Sequence, residues 1–247
     1  AKMALRSSMF LMKCLMSSDS PDLTRRSRLR NKKHSQPGIL KSKMMKLYRI
    51  NINMLDDPLE NKRLLELVGT ERRKKVIRYR MPDDRKRSVG AGIIINKILD
   101  ENGLSESCLK YSENGKPVAD NLFFNVSHAG DYVVGVSSDC EVGCDIEKIV
   151  NAPLKIAEQY FNEGEERYIK SACDPDKAFF TLWTLKESYM KMTGKGMSLS
   201  LDSFEIIRTE TGFVLGKTPE KRCFFGTMEF DGYSFSVSNE TDFDLKQ

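Results

Sequence analysis

Apolar residues recur at three- and four-residue steps most clearly late in the chain, where Ala178, Leu182, Leu185, Tyr189 and Met192 form one stripe if the segment is helical. The spacing predicts a helix over 179–196, laid against a core and stopped by Gly194 and Gly196. Trp183, Glu187 and Lys191, also four apart, fall on the opposite side, with Lys186 on the flank. Upstream, 142–147 alternates as a strand does: Val142, Cys144 and Ile146 face one way, Asp145 and Glu147 the other.

The rest of the chain divides on the same signals. Residues 46–52 alternate and read as a first strand, and 59–80 reads as a helix ending in a basic cluster. Pro82 with Asp83 and Asp84 marks a helix start that carries an apolar run, including Ile93, Ile94 and Ile95, to Glu101. The spans 123–126 and 132–136 read as strands joined by a loop that contains Ser127, His128 and Gly130. A helical region at 154–172 and a break at 173–176 follow, and then strands at 203–208, 213–215, 223–230 and 233–237. Helices mixed with short strands in both halves predict an α+β fold of two packed subdomains, 45–139 and 140–247, without an evident sequence repeat.

Residues 1–44 stand apart. They carry eleven Lys and Arg against two Asp, a net +9, whereas the whole chain sums to +5, which leaves −4 for the remaining 203 residues. A nucleic-acid partner inferred from net charge would therefore rest on this leader alone and is not expected. The segment is expected to be a basic extension, disordered or foreign to the fold, with an Arg- and Ser-rich transit peptide as the alternative. No stretch approaches the apolar length of a membrane span, so a soluble protein without a membrane partner is expected. Six cysteines without a Cys-x-x-Cys pair, beside only two histidines, argue against structural zinc and fit reduced thiols in the cytoplasm.

The candidate chemistry is acidic. A Glu and a Lys four apart on a helix are ordinarily an exposed pair worth a few tenths of a kcal/mol. Asp145 and Glu147 change that balance, because neighbouring carboxylates repel unless a cation separates them. Glu187 folded beside them would complete an oxygen-rich site suited to a hard divalent ion.

Five ordered blocks then point to one family. They are Asn114-Gly115-Lys116-Pro117, residues 124–130 (FNVSHAG), residues 143–148 (GCDIEK), residues 183–191 (WTLKESYMK), and Gly194-Lys195-Gly196 followed by residues 199–204 (LSLDSF). With them, residues from Met45 to about Val237 resemble the 4′-phosphopantetheinyl transferases of the surfactin-synthetase-activating type. Cys144 stands where that family usually has an aliphatic residue, and Ala129 where it often has Ser.

The resemblance implies two pseudo-symmetric subdomains with coenzyme A in the cleft between them. It implies Mg²⁺-dependent transfer of the phosphopantetheine arm to a serine of an apo acyl or peptidyl carrier protein, releasing 3′,5′-ADP. Asp145, Glu147 and Glu187 would hold Mg²⁺, Glu187 would also take the serine proton, and Lys191 would stabilise or protonate the leaving phosphate. Ser127 and His128 would contact a coenzyme A phosphate. Arg72, Lys75, Arg87 and Lys116 are assigned to its 3′-phosphate and adenine end, where Arg and Lys suit phosphate by charge and donor geometry. A monomer fits a self-contained cleft. Two rival readings are a non-catalytic module that binds carrier or coenzyme A, and a metal-dependent phosphodiesterase.

Overall fold

A computed structural model describes residues 45–112, 115–216, 222–243 and 245; the extension expected at 1–44 and Asn114 of the first family block lie outside them. The first half runs β1 (Lys46–Asn51), α1 (Arg63–Glu66), α2 (Thr70–Arg78), α3 (Pro82–Glu101), β2 (Lys110–Tyr111), β3 (Pro117–Val118), β4 (Phe123–Ala129) and β5 (Tyr132–Ser138). The second runs β6 (Val142–Lys148), α4 (Leu154–Tyr160), α5 (Glu163–Ser171), α6 (Pro175–Thr193), β7 (Ile206–Thr209), β8 (Gly212–Leu215), β9 (Phe224–Phe230) and β10 (Tyr233–Asn239). Only residues 139–141 connect the two halves.

The halves repeat one plan that the sequence conceals. Each places a strand, then a long helix, then a hairpin, giving antiparallel sheets ordered β1-β5-β4 and β6-β10-β9-β8-β7. Both long helices open on proline, Pro82 in α3 and Pro175 in α6, where the missing N–H costs nothing. Asp174 caps α6 by accepting from Lys177 N (3.0 Å), and Gly194 ends it at φ 74°.

Three apolar clusters fill the interior. One surrounds α3, with Ile50, Ile94, Ile98 and Val133, and one surrounds α6, with Phe179, Leu185, Tyr189 and Phe204. The third lies between the two sheets, where Val134 and Val136 of β5 meet Cys144 and Ile146 of β6 and Phe235 and Val237 of β10. Between 178 and 192 only Trp183, Glu187 and Lys191 escape full burial, as the helical wheel predicts. Trp183 stacks on Phe161 and Phe179, so it packs rather than projects.

The sequence reading needs three local corrections. The helix expected over 59–80 breaks at Gly69 into α1 and α2, because Gly69 lies flat against Glu106 and caps the second piece. The helical region at 154–172 breaks at Asn162, whose capping box with Glu165 starts α5 anew. Ser127 and His128 belong to strand β4 and not to a loop, since Gly130 at φ 48° allows a two-residue turn in which Ala129 already pairs with Tyr132.

Polar contacts seat α6 on its sheet. Thr184 Oγ1 lies 2.7 Å from Ser236 Oγ, and Ser188 Oγ lies 2.6 Å from Ser238 Oγ, so small hydroxylated residues replace bulk at the contact. Lys186 is fully buried and pairs with the equally buried Glu165 at 2.8 Å. Its ammonium also donates to the carbonyls of Leu201 (2.7 Å) and Phe204 (3.0 Å) and lies 4.3 Å from the Phe204 ring centre. Burial pulls its pKa down against the support of Glu165. Removing one member strands the other charge in the core, so Lys186→Met should cost about 3–5 kcal/mol in urea unfolding. Lys186→Met combined with Glu165→Leu should recover much of that loss.

Candidate active site

Gly143 sets the geometry. A Cβ there would fall 2.0 Å from the Ser188 carbonyl oxygen and 2.4 Å from the Met192 nitrogen, so only glycine lets β6 lie against the backbone of α6. That approach brings Asp145, two residues along the strand, beneath Lys191 on the helix. Lys191 Nζ donates to Asp145 Oδ1 (2.5 Å) and to Ser127 Oγ (3.0 Å), and the Ser127 hydroxyl donates to the same carboxylate oxygen (2.8 Å). Strands β4 and β6, edges of different sheets, are held in register there by Asn125 Oδ1, which accepts from Cys144 N (2.9 Å).

The acidic residues gather around this contact. Asp145 is 3% exposed, and its Oδ2 is buried without a hydrogen-bond partner. Burial and the Asp145 charge push the Glu147 carboxyl up to about 7, against Lys191, and Glu187 adds to the rise. Glu187 is raised by burial and by Asp145 in the same way. Burial opposes the charge on Lys191, but Asp145 outweighs it and holds the ammonium above its ordinary pKa. Lys191 therefore stays a cation and suits electrostatic stabilisation better than proton abstraction.

The residues fit a hard cation. A buried carboxylate oxygen without a donor, beside two carboxyls that resist ionising, is a donor set lacking its positive charge. Among the described residues no three acidic, His or Cys side chains close into a finished cage. Mg²⁺ suits such a site, because it takes one or two carboxylates and completes its shell with water and substrate phosphates.

The basic residues separate into two groups. His128 follows Ser127 on β4, and desolvation together with Arg87, Lys191 and Lys75 holds its pKa below the usual imidazole value. Arg87 donates to the Gly130 carbonyl (2.7 Å) and to Asp84 (2.6 Å), which orients its guanidinium beside the turn after His128. Lys75 is exposed nearby on α2. Arg72 and Lys116 have structural partners. Arg72 donates to the Ser88 carbonyl (3.3 Å), and Lys116 donates to the Lys191 carbonyl (3.0 Å) and to that of Val142 (3.4 Å). Lys116 thereby ties the β2–β3 hairpin to both acid-bearing elements.

Asn125, Gly143 and Lys186 shape the site without having been singled out. A lone Asn in the apolar run Phe-Phe-Asn-Val was a visible signal, whereas nothing local distinguishes a buried Lys186 from an exposed one. Burial pushes the Cys144 thiol up to about 12, so it packs and does not act as a nucleophile.

Two family models cover most of the chain. One for the 4′-phosphopantetheinyl transferase superfamily matches residues 141–242, and one for 4′-phosphopantetheinyl transferase, N-terminal, matches residues 57–140. The 4′-phosphopantetheinyl transferase ffp of Bacillus subtilis is 36% identical over 78% of this chain and 91% of its own length. Sfp of Bacillus subtilis (strain 168) is 32% identical over the same shares, 78% and 91%. Among solved structures, a holo-(acyl-carrier-protein) synthase from Bacillus anthracis in complex with CoA (3′,5′-ADP) aligns with 40% of this chain and 92% of its own, at 18% identity and a TM-score of 0.35.

The raised carboxyl groups fix the sign of a pH effect. Between about 4.5 and 7 the folded protein holds a proton on Glu147 that the unfolded chain has released, so metal-free stability falls as pH rises through that window. The loss should be on the order of 1 kcal/mol or more. Chemical denaturation at pH 4.5 and pH 7.5 should show it, and Glu147→Gln should shrink it.

Proposed function

The chain belongs to the 4′-phosphopantetheinyl transferase superfamily and is a transferase, and from that premise we propose that it moves the phosphopantetheine arm of coenzyme A to a serine of an apo acyl or peptidyl carrier protein in a Mg²⁺-dependent reaction. The observation that carries this reading is the buried, unpartnered Oδ2 of Asp145, whose carboxylate is bonded by Lys191 through its other oxygen and whose charge raises both Glu147 and Glu187.

Asp145, Glu147 and Glu187 are the residues that would hold the metal. When bound, Mg²⁺ offsets the charge on the pyrophosphate oxygens and lowers the barrier to attack at phosphorus. Glu187 accepts the serine proton directly or through water. The serine oxygen bonds to the phosphorus that bears pantetheine, the bridging P–O bond breaks, and 3′,5′-ADP leaves. Lys191 donates to the oxygen that gains charge as that bond breaks. Ser127 and His128 receive a donor phosphate, and Arg87, Lys75, Arg72 and Lys116 serve its 3′-phosphate and adenine end, Arg72 while holding the Ser88 carbonyl and Lys116 that of Lys191.

Intact-mass measurement tests the reading: an apo acyl or peptidyl carrier protein incubated with coenzyme A and Mg²⁺ should gain one phosphopantetheine per chain. Asp145→Ala and Glu187→Gln should each slow transfer about a hundredfold or more, and chelation should abolish it. Full activity after either substitution would remove the acid-site assignment. Lys191→Met should lower kcat, because an ordinary surface pair would leave turnover unchanged. Binding should also be tighter for coenzyme A than for its 3′-dephospho form.

A further inference from the structure

The two hairpin turns are stapled to each other across the subdomain boundary. Tyr132, the first residue of β5, donates its hydroxyl to Asp231 in the turn of the other hairpin. Tyr233, the first residue of β10, returns the contact: its hydroxyl accepts from Asp131 N (2.9 Å) and donates to Asp131 Oδ2 (3.2 Å). The two rings meet edge to face at 5.1 Å between centres. The staples are equivalent in form, but only one touches the site.

The turn that Tyr233 grips, Gly130-Asp131, follows His128 by two residues. The Tyr233 hydroxyl lies so close to Gly130 that a Cβ there would fall 2.2 Å from it, and Gly130 is held at φ 48°. The Gly130 carbonyl in turn accepts from Arg87 Nη1 (2.7 Å). A chain of contacts thus runs from Tyr233 in the second subdomain, through the turn, to the Arg87 guanidinium in the first, whose charge acts on His128. On the other side the Tyr132 hydroxyl also accepts from Asn51 Nδ2 (3.2 Å), and Arg49 covers the ring of Phe230, the residue before Asp231, so that staple ends on β1 and not on Arg87.

We infer that Tyr233 is a positioning residue for coenzyme A: by fixing the Gly130-Asp131 turn it aims Arg87 and His128 at the donor's phosphates, while its counterpart Tyr132 only joins the subdomains. This rests on the proposed transferase reading. It explains why the second subdomain reaches across to a turn that holds no acidic ligand. The effect belongs to donor binding and not to the chemical step, since Tyr233 touches none of Asp145, Glu187 and Lys191.

Steady-state kinetics of Tyr233→Phe, Tyr132→Phe and the unaltered protein, with coenzyme A and with 3′-dephospho-coenzyme A, test this. Tyr233→Phe should raise KM for coenzyme A roughly two- to tenfold, the factor one lost hydrogen bond costs, and leave kcat within about twofold. The rise should shrink with the dephospho donor, and Tyr132→Phe should leave both KM values unchanged. Gly130→Ala, which pushes the hydroxyl away by a second route, should reproduce the Tyr233→Phe pattern. An unchanged KM in Tyr233→Phe, an equal rise with both donors, or an equal rise in Tyr132→Phe would overturn the inference and leave the transferase reading standing. An unaltered protein that transfers nothing from coenzyme A would bring down both.

Discussion

The absence of one methyl group governs this active site. At Gly143 the strand that carries Asp145 touches the helix that carries Lys191 so closely that any side chain would strike peptide atoms. Because the contact is backbone to backbone, it leaves little freedom in where the two charges sit. Asp145 loses nearly all contact with water there, a change that would expel a lone carboxylate charge. Lys191 and Ser127 compensate on one oxygen only. The other oxygen is buried with no hydrogen-bond donor, so the contact is not simply a closed salt bridge.

The surrounding packing keeps that contact in place. Hydroxyl pairs between α6 and β10 hold the helix close to its sheet, because Ser and Thr fill less space than aliphatic residues and satisfy one another. One turn away, the buried Lys186 ties the same helix to Glu165 and to the carbonyls of Leu201 and Phe204. Lys186, Glu187 and Lys191 lie on a single helix, yet their surroundings divide them: Lys186 is sealed in the core against Glu165, Lys191 is paired with Asp145, and Glu187 is half-buried with its carboxyl pushed up by burial and by Asp145.

Much of this was legible in the sequence. The apolar stripe on α6, the alternation around Asp145, and the proline and glycine that bound the helix follow from periods of 3.6 and 2 and from cap chemistry. What was hidden depends on contacts between residues distant in sequence. The wheel placed Lys186 on a flank, and partners remote in sequence, Glu165 twenty-one positions earlier and the carbonyls of Leu201 and Phe204, make that flank interior. Ser127 and His128 read as loop residues because a turn of just Gly130 and Asp131 leaves no other punctuation. The repeated plan was invisible because the two halves keep strand order and the proline that opens the long helix but little else: Ile94 and Ile98 are buried in α3, whereas α6 carries Glu187 and Lys191.

The third apolar cluster draws β5 from one half and β6 and β10 from the other, and three residues are all that join them in the chain. Each half has its own cluster around its long helix, but this seam belongs to both. Severed at residues 139–141, each half would present its side of the seam to water. What resembles a pair of modules is held as one body by apolar surface that neither could cover alone.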